Sequence, residues 1–394
     1  MKLSSLSPRN LYASLRLLMV RPYARLLRKR SRDIWLIAER PDQARDNGYC
    51  FFKYLREQHP ELEAYYVIRR DAPDRAKLEP YGNIIDYNSW KHFLYFCASR
   101  VHISAHDNMC APDHLPILRF LSREKLGYKN VFLPHGVSYG VSEFCLAKYN
   151  KFDLFVCSGQ LEYENMLANY GYRPEQLAYT GFPRLDAWHH ITVDRKQLLL
   201  MPTWRAYLAQ NPDTLFEETA YYKAFQSLLN HSALSALLES SGCRLVFYLH
   251  NDMRKYEKYF QTPCKNIIIV RDDTEYDIQE LLKSSALLIT DYSSVHFDFS
   301  YMDKPVIYYQ FDREDFFAKQ YQQGMFDPAR DGFGPVVLSE ETLISEIKKA
   351  IDSGFTVEEQ YHQRMRNFYR LYDEKNCERV YETIREKEAN QWRK

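Results

Sequence analysis

The sequence is short of the features that mark stapled modules, membrane spans and disordered tails. Its eight Cys, at 50, 97, 110, 145, 157, 243, 264 and 377, include no C-x-x-C spacing and no Cys/His cluster. That argues against a disulfide framework or a structural zinc site and for a reducing, cytoplasmic setting. No apolar run approaches the roughly 20 residues that span a bilayer, so the chain is not expected to cross a membrane by itself. Glycine is scarce, with 13 in 394 residues, and there is neither a long polar tract nor an internal repeat. Extended disorder is therefore disfavoured. Acidic residues are missing from one place, since none occurs before Asp33.

What is present fits a folded protein of two ordinary domains: 394 residues, 45% of them hydrophobic. The 32 Tyr and 23 Phe are read as core and half-buried packing rather than as a stacking platform for bases. Net charge is +1, but it is uneven. Lys2, Arg9, Arg16, Arg21, Arg25, Arg28, Lys29, Arg30 and Arg32 precede Asp33, with Leu11, Leu15, Leu18, Met19, Tyr23, Leu26 and Leu27 among them near helical spacing. Such a basic amphipathic segment, residues 1–32, suits the headgroup plane of an anionic membrane; the competing reading is a surface helix packed on the protein itself. Arg16 interrupts the apolar stretch and no small-residue cleavage site follows, which disfavours a secretory signal. Charges elsewhere are mixed, so no nucleic-acid partner is expected.

From Asp33 onward short apolar runs alternate with longer amphipathic ones. Strands are expected at Ile34–Ala38, Tyr65–Ile68, Ile84–Tyr87, Val101–Ser104, Val131–Leu133 and Asp153–Cys157, with a helix from about Asn47 to Gln58. A second series runs through Leu198–Met201, Leu245–Leu249, Ile267–Val270, Leu287–Ile289 and Val306–Tyr309. This alternation predicts βαβ units on parallel sheets, hence an α/β fold of two Rossmann-like halves. Gly and Pro near Gly181–Arg184 place the boundary, dividing the chain into 33–188 and 189–355, with helices at 356–394 packing on the fold. In open parallel sheets ligands lie beyond the carboxyl ends of the strands, so loops of two such halves would surround one cleft.

Polar residues stand at those ends. Pro134-His135-Gly136 follows the Val131 strand, Pro202-Thr203-Trp204-Arg205 the Leu198 strand and His250 the Leu245 strand. Most informative is Thr290-Asp291-Tyr292-Ser293-Ser294, where an apolar strand meets a polar turn that opens a helix. Backbone N–H groups at a helix start lack intrahelical partners and favour an anion, and three hydroxyls are added at the same spot. The competing reading is a simple helix cap by Asp291 or Ser293. Four strand ends carrying groups suited to anionic chemistry favour a phosphate site.

These motifs, with Gly181-Phe182-Pro183-Arg184-Leu185-Asp186 and the run from Ile289 to Phe299, resemble those of the CDP-glycerol glycerophosphotransferases, which build teichoic acids and related capsular polymers. The similarity runs in order from about Val131 to Tyr309. It implies a GT-B architecture, peripheral attachment at the inner face of the cell membrane, and transfer of a polyol phosphate from CDP-glycerol or CDP-ribitol to a hydroxyl of a lipid-linked or capsular acceptor, releasing CMP. It also implies roles: His135 as general base toward the acceptor, His250 as a second catalytic residue, and Arg205, Thr290, Ser293 and Ser294 around the donor pyrophosphate. Asp298 and Asp291 would support the ribose or the loop. No metal is required by this arrangement, and no carboxylate pair with the geometry of an Mg²⁺ site stands out. The alternatives are a GT-B glycosyltransferase using a nucleotide sugar and a non-catalytic nucleotide-binding scaffold.

Overall fold

Among the described residues thirteen short strands build two parallel sheets. The computed structural model describes residues 7–31, 33–106, 109–115, 126–139, 145–150, 152–209, 213–271, 276–320 and 324–392. The chain forms two compact units: Met1–His135, Glu143–Ala187 and Asp373–Lys394 make one, Gly136–Ser142 and Trp188–Tyr372 the other. This partition differs from the expected one at both ends and in the middle. A short segment after His135 goes with the second unit, and the last helix returns to the first.

The first unit holds β1 (Ile34–Ala38), β2 (Glu63–Ile68), β3 (Ile84–Asp86), β4 (Val101–Ser104), β5 (Lys129–Phe132), β6 (Leu154–Cys157) and β7 (Leu177–Tyr179), all parallel in the order β3-β2-β1-β4-β5-β6-β7. The second holds β8 (Asp194–Leu200), β9 (Arg244–Phe247), β10 (Ile267–Ile269), β11 (Ser285–Thr290), β12 (Val306–Tyr309) and β13 (Val336–Val337), parallel in the order β10-β9-β8-β11-β12-β13. Every residue of β1, β4, β6, β11 and β12 is buried, as strands covered by helices on both faces must be. Each order reverses once, between β1 and β4 and between β8 and β11. At such a reversal adjacent loops diverge and open a crevice beyond the carboxyl ends of the strands.

The basic N-terminal segment is a helix, α1 (Pro8–Arg30), with Ser7 accepting from the Asn10 N–H as its cap. It lies against α3 (Trp90–Ala98), burying Ala13, Leu17, Val20 and Ala24, and the small residues allow close approach. Arg28 donates to the carbonyls of Cys97, Ala98, Ser99 and Leu126, satisfying acceptors at the end of α3. Arg16 lies over the rings of Trp90 and Phe93 at 4.6 and 4.2 Å. Packing on the body and an open apolar stripe therefore coexist. Leu11, Tyr12, Leu15, Leu18, Met19, Tyr23 and Leu26 remain 43–69% exposed on the outer face, flanked by exposed Arg9, Arg25, Lys29 and Arg30.

The C-terminal helices do not act as one cap. Glu359–Phe368 packs in the second unit, where Arg364 donates to the Gly332 carbonyl and Phe368 meets Phe297 at 4.9 Å. Asn376–Asn390 belongs to the first unit because Asp186 caps it: its carboxylate accepts the N–H groups of Asn376 and Cys377, both at 2.8 Å. Gly181 makes the junction possible. Its φ is +78°, and a Cβ there would lie 2.0 Å from Asn376 Oδ1. Gly181→Ala adds left-handed backbone strain to a steric clash and is expected to cost about 2–4 kcal/mol. Urea denaturation of the purified variant checks this, and an unchanged midpoint would refute the packing argument.

Candidate functional site

At the reversal of the second sheet, the loops after β8 and β11 are tied into one body. Met201 donates its N–H to the Ile289 carbonyl at 2.9 Å, Thr290 Oγ1 donates to the Met201 carbonyl at 2.7 Å, and the Thr203 N–H donates to Asp291 Oδ1 at 2.7 Å. Asp291 also accepts the Tyr292 N–H at 2.6 Å. Thr290 and Asp291 are both buried, and their polar atoms are spent on holding the two loops together.

Arg205 is the centre of that body, at 0% exposure. Its Nε and Nη2 grip Asp312 at 2.9 and 3.0 Å, Nη2 also reaches Asp291 Oδ2 at 2.8 Å, and Nη1 donates to the Thr203 carbonyl at 2.9 Å. The rings of Phe316, Tyr292 and Tyr221 enclose the guanidinium at 4.8, 5.2 and 5.2 Å. Burial acts to lower its pKa, but the Asp291 and Asp312 charges outweigh it and hold the pKa above the ordinary arginine value. This arginine is placed to shape the loops from beneath.

What remains for a ligand is the turn above it. Ser293 and Ser294 are half-buried, and their hydroxyls make no hydrogen bond to another described residue. They lead into the helix Val295–Tyr301, whose own residues His296, Phe297 and Phe299 point into the core. Gly136 lies against Ser294, where a Cβ would sit 3.1 Å from Ser294 Oγ. Tyr139, three residues on, donates to the Tyr292 carbonyl and packs its ring on Phe297 at 5.5 Å. Asp298 is half-buried on the same helix and already has a partner.

His250 stands two residues beyond Tyr248 in the loop after β9, the strand beside β8. Its side chain is 35% exposed, and its ring lies near parallel to Trp204 at 6.2 Å. Nδ1 accepts the Asp252 N–H at 3.3 Å, so in the neutral ring the proton sits on Nε2. The Asp252 carboxylate lies 3.5 Å from Nδ1.

In the first unit His135 follows β5 at an exposed position. Loss of hydration to the surrounding protein lowers its pKa below the ordinary 6.5, the Asp46 charge opposes this, and Arg184 and Arg40 reinforce it. Its ring stacks parallel on His106 at 5.0 Å with an interplanar angle of 2°. Sequence reading passed over His106, although it lies two residues past β4, at the reversal of the first sheet. Its buried Nδ1 has no hydrogen-bond partner among the described residues, and burial followed by the His135 charge pushes its pKa down to about 4.

Two doubly wound parallel units in succession, with polar turns at the carboxyl ends of their strands, place the protein in the GT-B class of α/β folds. The chain belongs to the CDP-glycerol:poly(glycerophosphate) glycerophosphotransferase family, which it matches over residues 19–386. It is 30% identical over 368 residues to the minor teichoic acid biosynthesis protein GgaB of Bacillus subtilis (strain 168), covering 91% of this chain and 40% of that one. Against a teichoic acid poly(glycerol phosphate) polymerase of the same organism identity is 24%, over 86% of this chain and 46% of that one. The chain thus spans less than half the length of either relative. A solved structure of the wall teichoic acid polymerase TagF shares the fold, with a TM-score of 0.65 at 15% identity over 98% of this chain and 100% of that one.

Proposed function

We propose that the protein transfers a polyol phosphate, glycerol or ribitol phosphate, from a CDP-linked donor to a hydroxyl of a lipid-linked or capsular glycopolymer acceptor. The observation that carries this reading is the Ser293–Ser294 turn. In a member of this family, two hydroxyls that make no hydrogen bond to another described residue stand at the strand reversal of the second unit, on loops locked from below by Arg205. Preformed donors of this kind stabilise the charge that builds on a transferred phosphoryl group without reorganising during the reaction.

In the proposed step the acceptor oxygen attacks the phosphorus that bears the polyol. The bond from that phosphorus to the oxygen bridging toward cytidine breaks, and CMP leaves with the electron pair. The acceptor's proton passes to neutral His135, whose lowered pKa keeps the ring unprotonated at neutral pH. Ser293, Ser294 and the adjoining backbone N–H groups receive the pyrophosphate, and the Nε2–H of His250 donates to the leaving phosphate. Arg205, Asp291 and Thr290 support that turn from inside the fold. Incubation with CDP-glycerol, CDP-ribitol and a panel of nucleotide sugars, reading nucleotide release, tests the proposal. Release of CMP from a CDP-polyol alone supports it; release only from a nucleotide sugar replaces it with a glycosyltransferase.

The outer face of α1 adds a location. A continuous apolar stripe with arginines and lysines along its margin matches the chemistry of an anionic lipid surface. Among the described residues no helix is long and apolar enough to cross a membrane, so contact through α1 would be in-plane. Because Leu17 and Arg28 hold α1 to the body, the test substitutes outward residues only. Leu15→Glu with Leu18→Glu is expected to weaken sedimentation with anionic liposomes by a factor on the order of ten or more, with unchanged circular dichroism. Undiminished sedimentation would remove α1 from the lipid contact.

A further inference from the structure

We propose that Asn47 is a positioning residue for His135, held in register by Glu39, which fills the first unit's own anion position with a carboxyl group of the chain. The proposal rests on the reading of His135 as the acceptor base.

In a doubly wound unit the N–H groups between the first strand and the first helix are where a phosphate ordinarily binds. Here that place is taken. Glu39, immediately after β1 and 1% exposed, accepts the N–H groups of Asp46 at 3.0 Å and Tyr49 at 2.7 Å on Oε1, and that of Arg45 at 2.9 Å on Oε2. Burial and the Asp46 charge push its pKa up to about 8 against the pull of these three N–H groups, so its oxygens hold the loop by hydrogen bonds rather than by a full charge. Gly48 allows the carboxyl group to lie against α2 (Asn47–Gln58), since a Cβ there would stand 3.1 Å from Glu39 Cγ and Oε1. The first unit has thereby given up the site that its topology provides, and the loop so occupied is stiff.

That stiff loop presents Asn47, which is fully buried. Its Nδ2 donates to the Pro134 carbonyl at 2.6 Å, and its Oδ1 accepts the Arg184 N–H at 3.1 Å. Reversing the amide would set donor against donor and acceptor against acceptor, so the side chain has one orientation. Arg184 closes the ring of contacts by donating from Nη1 to Asp46 Oδ1 at 2.9 Å, while Asp46 Oδ1 also accepts the Asn47 N–H at 2.8 Å. Loops from the ends of β1, β5 and β7 therefore meet at one carboxamide. The Pro134 carbonyl and the His135 nitrogen share a planar peptide group, so fixing that oxygen fixes the plane from which the imidazole departs. An error of about 1 Å in the placing of a catalytic group costs on the order of a hundredfold in rate, which is the leverage available to Asn47.

The test uses the full chain with Asn47→Asp, which keeps the acceptor toward Arg184 and sets an oxygen against the Pro134 carbonyl, and with Asn47→Ala. Turnover of CDP-glycerol is resolved into kcat and donor KM, and ¹³Cε1-histidine spectra, with His135→Ala for assignment, follow the His135 titration. Asn47→Asp is expected to lower kcat about 30-fold with donor KM within about twofold, and to displace the His135 signal and the acidic limb of the rate profile. Full kcat with an unmoved His135 signal in Asn47→Asp overturns the proposal, including where Asn47→Ala fails to fold. Should His135→Ala itself turn over normally, the base reading falls and the signal alone judges the clamp: displaced in Asn47→Asp it supports the clamp, unmoved it refutes it.

Discussion

Arg205→Met is expected to destabilise the second unit by about 3–5 kcal/mol, because it leaves the Asp291 and Asp312 carboxylates without the charge that compensates their burial. Against a total stability of about 5–15 kcal/mol for an ordinary domain, that loss is large enough to leave a sizeable unfolded population. Arg205→Lys keeps a charge but cannot reproduce the two-pronged grip on Asp312 or reach the Thr203 carbonyl at the same time. Its cost should fall between wild type and the methionine variant. Urea denaturation followed by far-ultraviolet circular dichroism measures both. The sequence alone suggests a different outcome, an arginine that meets the donor pyrophosphate and whose loss raises donor KM in a protein of normal stability. That outcome would return Arg205 to the ligand shell.

The second large effect is on rate. His135→Ala is expected to lower CMP release by a factor on the order of a hundred or more while leaving the denaturation midpoint unchanged, since the side chain is exposed and supports no core. His250→Ala should cost a similar factor through the leaving phosphate. Near-normal turnover in either variant would strike that residue from the scheme. The pH dependence has a defined sign. A base must be neutral to act, the neutral fraction of His135 grows as pH rises through its pKa, and that pKa lies below 6.5. Turnover should therefore fall on the acid side of about pH 6.5 and be level at neutral pH; a limb centred above 7 would point to another group.

Short runs that are mostly apolar are legible from sequence. β1 and β12 run Ile34–Ala38 and Val306–Tyr309 as their composition predicts, because strands buried on both faces admit little else, and β4, Val101–Ser104, is found at its expected bounds although His102 and Ser104 are polar. Two strands were missed. β7 and β13 are three and two residues long and lie at the sheet edges, too short for any periodicity to register. The strand-end motifs were found by position, but the division of labour within them was not. Ser293 and Arg205 look equally suited to phosphate in a linear reading. Only the approach of Asp312 and Asp291, 107 and 86 residues from Arg205, shows that the arginine is spent internally. Likewise α1 reads as amphipathic because of its outward leucines, whereas the face that packs is made of Ala13, Leu17, Val20 and Ala24, a weaker signal. Asn47 reads only as the start of a helix, since its partners at Pro134 and Arg184 are brought together by the sheet.

The helix Asn376–Asn390 completes the first unit although it is translated after the second. During synthesis the first seven strands emerge early, yet Asp186 waits for the N–H groups of Asn376 and Cys377 until the whole second unit has been translated. The early half must therefore persist on the ribosome with its seam open, in a state that chaperones can hold, and its folding becomes tied to completion of the later half. A chain cut just before Asn376 would damage the unit whose strands precede the whole second unit.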